Sequence, residues 1–336
     1  MDNTVKLIRV ERGGLEESAH RGIIVVADRD GNVIANAGRA DTVIFARSTA
    51  KPLQAVPLIA RGGADRFGLD ERELAVMCSS HSGQTRHVRA VRSILRKCGL
   101  DEQFLRCGAH MPWHEQSQKR LVREGKDASA LHNNCSGKHA GMLALCRMLD
   151  EDLATYMHLD HPVQRIVRET IAQFSGVASD DLHPGSDGCG LPVYALPIVS
   201  LAKALARFAA PGSDLTEPVR DACRLLFRAM QRFPEYVAGD GRDETVLMKA
   251  TGSRFVAKSG AEGLMAVMVP EKGWAIVIKM EDGAARGALP AAIEALDQLG
   301  LLRDNERKLL APHRIQTLYN WSGMEVGAIR PQFQLK

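Results

Sequence analysis

The sequence has no excess of one charge: 44 Lys and Arg stand against 40 Asp and Glu, a formal net charge of +4 over 336 residues. The basic residues are spread along the chain. This argues against a nucleic-acid-binding stripe or a polybasic membrane patch and leaves a small molecule as the expected partner. No apolar run approaches the length of a membrane-spanning helix. The first eleven residues carry Asp2, Lys6, Arg9 and Glu11 where a secretory leader would be apolar, so a cytoplasmic protein is expected. Cross-linking is not indicated either. The seven cysteines (Cys78, Cys98, Cys107, Cys135, Cys146, Cys189 and Cys223) are odd in number, in a chain long enough to fold without disulfides, and read as reduced thiols. Internal repeats, low-complexity tracts and an obvious linker are also missing. With 45% hydrophobic residues the chain can bury a large core, and a single domain over residues 1–336 is expected.

What is present reads as strands, then helices, then strands again. Val5 to Val10, Ile23 to Asp28, Val33 to Ala37 and Val43 to Ala46 have strand character, with Asp30-Gly31 as hairpin-turn chemistry, and form an antiparallel meander. Leu53, Val56, Leu58 and Ile59 then mark a helix buried nearly all round, ending near Gly62-Gly63. Further helices are expected from Val88 to Cys98, around Met142 to Leu149, from Pro162 toward Gly176, from Val199 to Phe208 and from Val219 to Met230. Strands return at Phe255 to Lys258, Leu264 to Val269 and Trp274 to Lys279, before a last helix from about Pro290 to Leu299. The order describes an α+β fold. Its antiparallel sheet comes from both chain ends, about 1–60 and 250–310, and packs against a helical block at about 65–245.

Ser48 sits where the meander hands over to the buried helix, and Lys51 follows three residues later, one helical turn away on the same face. A serine hydroxyl is a poor nucleophile until a base takes its proton. A lysine does so only as the neutral amine, which burial or a neighbouring cation favours. Ser-x-x-Lys alone is a weak motif, more often a solvated helix start with Ser48 as its N-cap. It gains weight from Lys258-Ser259-Gly260 at a strand end, because Lys-Ser/Thr-Gly beside Ser-x-x-Lys is the layout of serine β-lactamases and penicillin-binding proteins. Cys78-Ser79-Ser80-His81-Ser82-Gly83 is a loop from which one serine can approach Lys258, and spacing does not choose among Ser79, Ser80 and Ser82.

Two glycine-flanked polar turns, Asn133 to His139 and Gly185 to Gly190, each present a cysteine where exposure is expected, unlike Cys146 and Cys223 in apolar runs. Cys135 and Cys189 with His139 or Asp187 would make a zinc site, although no Cys-x-x-Cys or His-x-x-x-His spacing supports it.

Ala46 to Pro52, Cys78 to Gly83, Asn133 to Gly141, Asp187 to Gly190 and Lys258 to Gly263 together resemble the rhizobial-type, or class 3, L-asparaginases over most of the chain. The resemblance implies a fold related to serine β-lactamases and glutaminases, a homodimer, and an active site in which Ser48 and Ser80 face each other with Lys51 and Lys258 as partners. It also implies Zn²⁺ held by Cys135, Lys138 and Cys189, in place of the set with His139; a lysine ligand must bind as the neutral amine, which a directly bonded metal can enforce.

The expected reaction is attack of Ser48 on the side-chain amide of L-asparagine, with Lys51 as base and Ser80 or Lys258 passing a proton to ammonia, then hydrolysis of the aspartyl ester. Arg47, Asn134, His139 and Asp187 are the expected substrate-binding residues, Arg47 or Lys138 for the α-carboxylate and Asp187 for the ammonium. The metal is expected to shape the pocket, since the serine-lysine pairs make zinc-activated water unnecessary. Rival readings are a β-lactamase or peptidase, which would need export, a glutaminase, and a non-catalytic zinc-binding protein.

Overall fold

The computed structural model describes residues 3–336. Its main sheet is antiparallel and is assembled from both ends of the chain. Its strands are β1 (Val5–Arg12), β2 (Leu15–Asp28), β3 (Val33–Ala37), and, after a second sheet, β7 (Val256–Gly260), β8 (Leu264–Val269), β9 (Trp274–Met280), β10 (Gln316–Tyr319) and β11 (Glu325–Pro331). The order is β10-β11-β1-β2-β9-β8-β7, with β3 also on β2. The long β2 joins the ends: Leu15 to Gly22 pair with β1, while Gly22 to Asp28 run from Met280 to Trp274 on β9. The expected turn after β2 is present. Asp28 Oδ1 accepts from the N–H groups of Asp30 and Asn32 at 2.9 Å, and Gly31 takes φ +93°, a value that its missing Cβ permits.

The α+β expectation is met, with two corrections. Residues Val43–Phe45 (β4) leave the meander and pair with β6 (Pro192–Pro197), which also takes β5 (His183–Ser186), in a separate three-stranded sheet. The main sheet also extends beyond residue 310, through the helix Asp304–Arg314 to the β10–β11 hairpin, whose half-exposed residues lack the apolar run that marks the other strands.

All six residues of β8 are buried, because both faces of the sheet are covered here. The helix Ile198–Ala209 packs on β2, β8 and β9, and the helix Ala288–Gln298 packs on β8 and β9. The helical block includes Lys51–Ala60, in which the first nine residues are buried, and Ser136–Leu149, which is buried over most of its length. Glu71–Met77 starts at a capping box: Asp70 accepts from Arg72 and Glu73 N–H groups, and Glu73 accepts from Asp70 N–H at 2.7 Å. That fixed start sets where the following loop, Cys78 to Gly83, leaves the helix.

Candidate active site

Five segments converge beside the end of β7. After β4, Arg47 adopts φ +43°, a strained value for a side-chain-bearing residue, and opens a tight 3₁₀ turn, Arg47–Ala50, that packs against β7. The turn brings Ser48 to a cavity of about 430 Å³ also lined by Ser80, Asn134 and Gly260. Gly260 makes room for this approach, since a Cβ there would lie 3.3 Å from Arg47 Cβ and 3.1 Å from Leu264 Cδ2 and the neighbours would have to give by a few tenths of an ångström.

Lys51 and Lys258 are fully buried. Lys51 Nζ donates to Ser79 O at 2.6 Å, Ser80 Oγ at 3.1 Å and Asn134 O at 3.4 Å. Lys258 Nζ donates to Ser259 O at 2.6 Å and meets the same Ser80 Oγ at 2.9 Å. Among the described residues Ser48 is not a hydrogen-bond partner of Lys51, so the expected Ser48–Lys51 pairing is replaced by one of Lys51 with Ser80. The reason is donor satisfaction: a buried amine needs an acceptor for each N–H, and loop carbonyls on two segments supply them beyond the reach of a local i,i+3 contact. Of the three serines left open by spacing, Ser80 is the one whose hydroxyl meets the lysines. Ser79 Oγ donates to Val76 O at 2.6 Å and Ser82 Oγ to Ala238 O at 2.9 Å, both holding the loop.

Burial pushes Lys258 down to about 7, assisted by Lys51 and Arg242 and opposed by Glu244. Glu244 is fully buried, accepts from Ser259 N–H at 3.1 Å and from the Ser259 hydroxyl, and lies 3.7 Å from Lys258 Nζ. Beside it, burial and the Glu244 charge push Asp243 up to about 6. Arg242, Asp243 and Glu244 line the cavity and were not anticipated. The only sequence signal was their place after Gly239-Asp240-Gly241, a glycine-flanked charged run like the one at 185–190.

The second cluster lies behind Arg47. The ligand atoms of Cys135, Asp187 and Cys189 all fall within 4.8 Å of one another. Arg47 Nε donates to Asp187 Oδ1 at 3.0 Å, and Lys138 Nζ is 3.5 Å from Asp187 Oδ2. Cys135 and Cys189 are buried, at 4% and 5% exposure, because the two polar turns cover each other; the expectation of exposed thiols is corrected. A hydrogen bond from the Cys189 thiol pushes Cys135 down, against burial and with help from Lys51 and Lys138. Burial would push Asp187 up, yet Lys138, Lys51 and Arg47 hold it at about 2. Two thiols, one of them poised to ionise, and a carboxylate fit a zinc-like cation by the chemistry of the donor set, whereas against its burial Cys135, Cys189 and Asp187 push Lys138 up and favour the ammonium, which binds a metal only after losing a proton.

His139 is turned away from both clusters. It is fully buried, its Nδ1 lies 2.6 Å from the Tyr156 hydroxyl, and it does not line the cavity, so its assignment to substrate is withdrawn. Asn134 keeps its place on the cavity wall, where its N–H donates to His110 Nε2 at 2.9 Å.

Comparison with known proteins identifies the group. The sequence matches L-asparaginase II over residues 8–331. The chain belongs to the L-asparaginase II family. It is therefore an amidohydrolase of the L-asparaginase type with a small-molecule substrate. Among curated proteins none matches the chain. Solved structures similar to this asparaginase-family chain include a β-lactamase from Mycobacterium bovis, 15% identical over 87% of this chain and 95% of that one, with a TM-score of 0.38. Another is Mglu, 18% identical over 83% and 67% of the respective chains, TM-score 0.36. A third is the simvastatin synthase of Aspergillus terreus, 12% identical over 81% and 88%, TM-score 0.44. Among the described residues no helix is long and apolar enough to cross a membrane.

Proposed function

We propose that this protein hydrolyses the side-chain amide of L-asparagine to L-aspartate and ammonia, with Ser80 as nucleophile and Lys258 as its proton acceptor. The observation that carries the reading is the position of Ser80 Oγ between Lys258 Nζ at 2.9 Å and Lys51 Nζ at 3.1 Å. A hydroxyl has one proton. It donates that proton to one amine and accepts from the other, so one lysine takes the proton while the second donates to the oxygen that becomes the alkoxide. Lys258, pushed down to about 7, is the group with an available neutral form at neutral pH.

Ser80 Oγ attacks the amide carbon as its proton passes to Lys258 Nζ. Collapse of the tetrahedral intermediate breaks the C–N bond, and Lys258 returns the proton to the leaving nitrogen, releasing ammonia and leaving an ester on Ser80. Water then adds to the ester, its proton goes to Lys258, and the C–Oγ bond breaks with proton return to Ser80, freeing aspartate. Ser48, on the same cavity wall, is the second hydroxyl and relays protons, a change from the order expected from sequence. Asn134, on the cavity wall, is proposed to hold the substrate's polar groups, joined by Arg47 and Asp187 only if their mutual ion pair opens toward the cavity they do not line, and backbone N–H groups near Ser48 and Gly260 the oxyanion.

Cys135 and Cys189, with Lys138 or Asp187, would hold Zn²⁺, which supplies a fixed positive charge beside the substrate's polar groups. A cytoplasmic homodimer completes the proposal, and sedimentation checks the dimer.

Ammonia release from asparagine and glutamine, measured beside hydrolysis of a chromogenic β-lactam, tests the reading. Asparagine turnover with little β-lactam hydrolysis is expected. Preference for glutamine would move the assignment by one methylene, a difference a pocket separates only modestly. Metal uptake with no ammonia from either substrate would refute it.

A further inference from the structure

We propose that Glu244 is a positioning residue for the hydrolysis proposed above: its buried carboxylate anchors the end of β7 through Ser259 and is the counter-charge that sets the protonation of Lys258. The inference rests on that functional reading for its kinetic consequence and on geometry for the rest. Glu244 is the first glutamate of the helix Asp243–Ala250, with no exposed surface. Its Oε1 accepts from the Ser259 N–H at 3.1 Å and from the Ser259 hydroxyl, and lies 3.7 Å from Lys258 Nζ. Its Oε2 is buried without a hydrogen-bond partner, the Arg242 guanidinium standing off at 3.9 Å. A buried carboxylate with an unpaired oxygen is a costly way to fill space that an apolar side chain fills well. The cost has a use where a charge must act on a neighbour.

The neighbour is Lys258, and the groups facing it are few. From the 242–244 segment come Arg242 and Glu244, from the start of the helix Lys51–Ala60 comes Lys51, and from the thiol segments come Cys135 and Cys78. Across the sheet, Lys258 pairs with Ala266 on β8, which carries no charge. Lys51 and Arg242 disfavour a proton on Lys258, and Glu244 is the close anion that favours one. The balance leaves both forms of Lys258 accessible near neutrality. The cycle needs both, the amine to take the Ser80 proton and the ammonium to protonate the leaving nitrogen.

The test follows Lys258 directly and through turnover. The full-length protein labelled with ¹³Cε-lysine is titrated by NMR, and kcat/KM for ammonia release is recorded against pH, for the wild type, Glu244→Gln and Arg242→Gln. Glu244→Gln is expected to move the Lys258 titration and the acid limb to lower pH by up to about three units, given a separation near 4 Å and an effective dielectric of about 20. Arg242→Gln is expected to move both to higher pH. A Lys258 titration that does not move in Glu244→Gln, or moves the same way in both variants, overturns the proposal. If Glu244→Gln does not fold, Arg242→Gln decides it together with Glu244→Asp, which keeps the charge and should leave the limb close to wild type. Variants whose Lys258 titrations shift as stated, beside a wild type that releases no ammonia, would refute the functional reading and leave this electrostatic assignment standing.

Discussion

Gly137→Ala should cripple this enzyme although residue 137 touches no substrate. Gly137 lies in the first turn of the helix Ser136–Leu149, directly after the Cys135 turn, with its backbone against Val76. A Cβ there would sit 2.0 Å from Val76 O and 2.7 Å from Val76 C. An ordinary carbon–oxygen contact is about 3.3 Å, so the carbonyl or the helix must give by about 1.3 Å. Val76 O is not free to move alone. It accepts from Ser79 N–H at 3.1 Å and from Ser79 Oγ at 2.6 Å, and Ser79 O is the nearest acceptor of Lys51. The displacement therefore reaches Ser79, Lys51 and Ser80 in turn. A shift of about 1 Å at reacting atoms costs about 100-fold in rate, and overpacking of this kind about 1–3 kcal/mol of stability. We expect kcat for ammonia release to fall about 100-fold and Tm to fall by several degrees. Gly141→Ala, one turn later, is the control: its Cβ meets Met77 Sδ at 2.9 Å, the far end of a flexible side chain, and replacing a helical glycine gains up to about 1 kcal/mol. It should keep near-wild-type kcat and Tm. If Gly137→Ala retains wild-type kcat, or Gly141→Ala proves the more damaged, the coupling of helix and loop argued here is wrong.

Ser80→Ala should lower kcat by at least about 1,000-fold and Ser48→Ala by less, as expected when a nucleophile rather than a relay is lost; an active Ser80→Ala beside a dead Ser48→Ala would return the nucleophile to Ser48. The acid limb of wild-type kcat/KM should break near the value to which Lys258 is pushed, about 7. Because the neutral amine is the reacting form, activity falls as pH drops, about tenfold per unit below the break; a flat profile through this region would remove Lys258 as the base. Cys135→Ala and Cys189→Ala should lower bound zinc, measured by elemental analysis, and raise KM more than they lower kcat. Abolished turnover with substrate binding intact would show that the metal region takes part in the chemistry.

Much of the site was legible because its chemistry is local. Ser48-x-x-Lys51, Lys258-Ser259-Gly260 and the Cys78 to Gly83 loop each combine reactive side chains with a glycine or a turn, and all three meet at the cavity or its lysines. What spacing did not give is who faces whom. A lysine side chain reaches across loops, so Lys51 passes Ser48 and finds acceptors at Ser79, Ser80 and Asn134, positions fixed by tertiary packing. The same limit made Cys135 and Cys189 look exposed, since burial there comes from one polar turn covering another. His139, one residue past Lys138, points into the core because a helix rotates successive side chains by about 100°. Glu244 carried no motif at all. The fold shows the same division: the apolar β7, β8 and β9 were readable, and β4 was readable as a strand but not as part of a second sheet, because its partner β6 is distant in sequence, while the half-exposed β11 pairs with β1 at the other end of the chain.

The proton count at Ser80 also bears on why the enzyme carries two lysines where one base would serve. If Lys258 is to accept from Ser80, it needs a lone pair aimed at Oγ and its N–H groups occupied elsewhere; Ser259 O takes one at 2.6 Å, and Glu244 lies on the same side at 3.7 Å. Lys51 is placed oppositely, with two backbone carbonyls, Ser79 O and Asn134 O, fixing its amine so that the remaining N–H points at Oγ. With all three N–H groups present Lys51 is a donor to Oγ, and the mixed environment of Lys258 lets it alternate. In the proposed reaction a donor fixed by backbone stabilises the alkoxide at formation and again when the ester is broken, without having to move. The alternating lysine is the only one of the pair that must change state. A neutral Lys51 would keep its two N–H groups on the two carbonyls and also aim its lone pair at Oγ, so what separates the roles is burial among cations, which pushes Lys258 down to about 7 and makes it the lysine that gives up its proton.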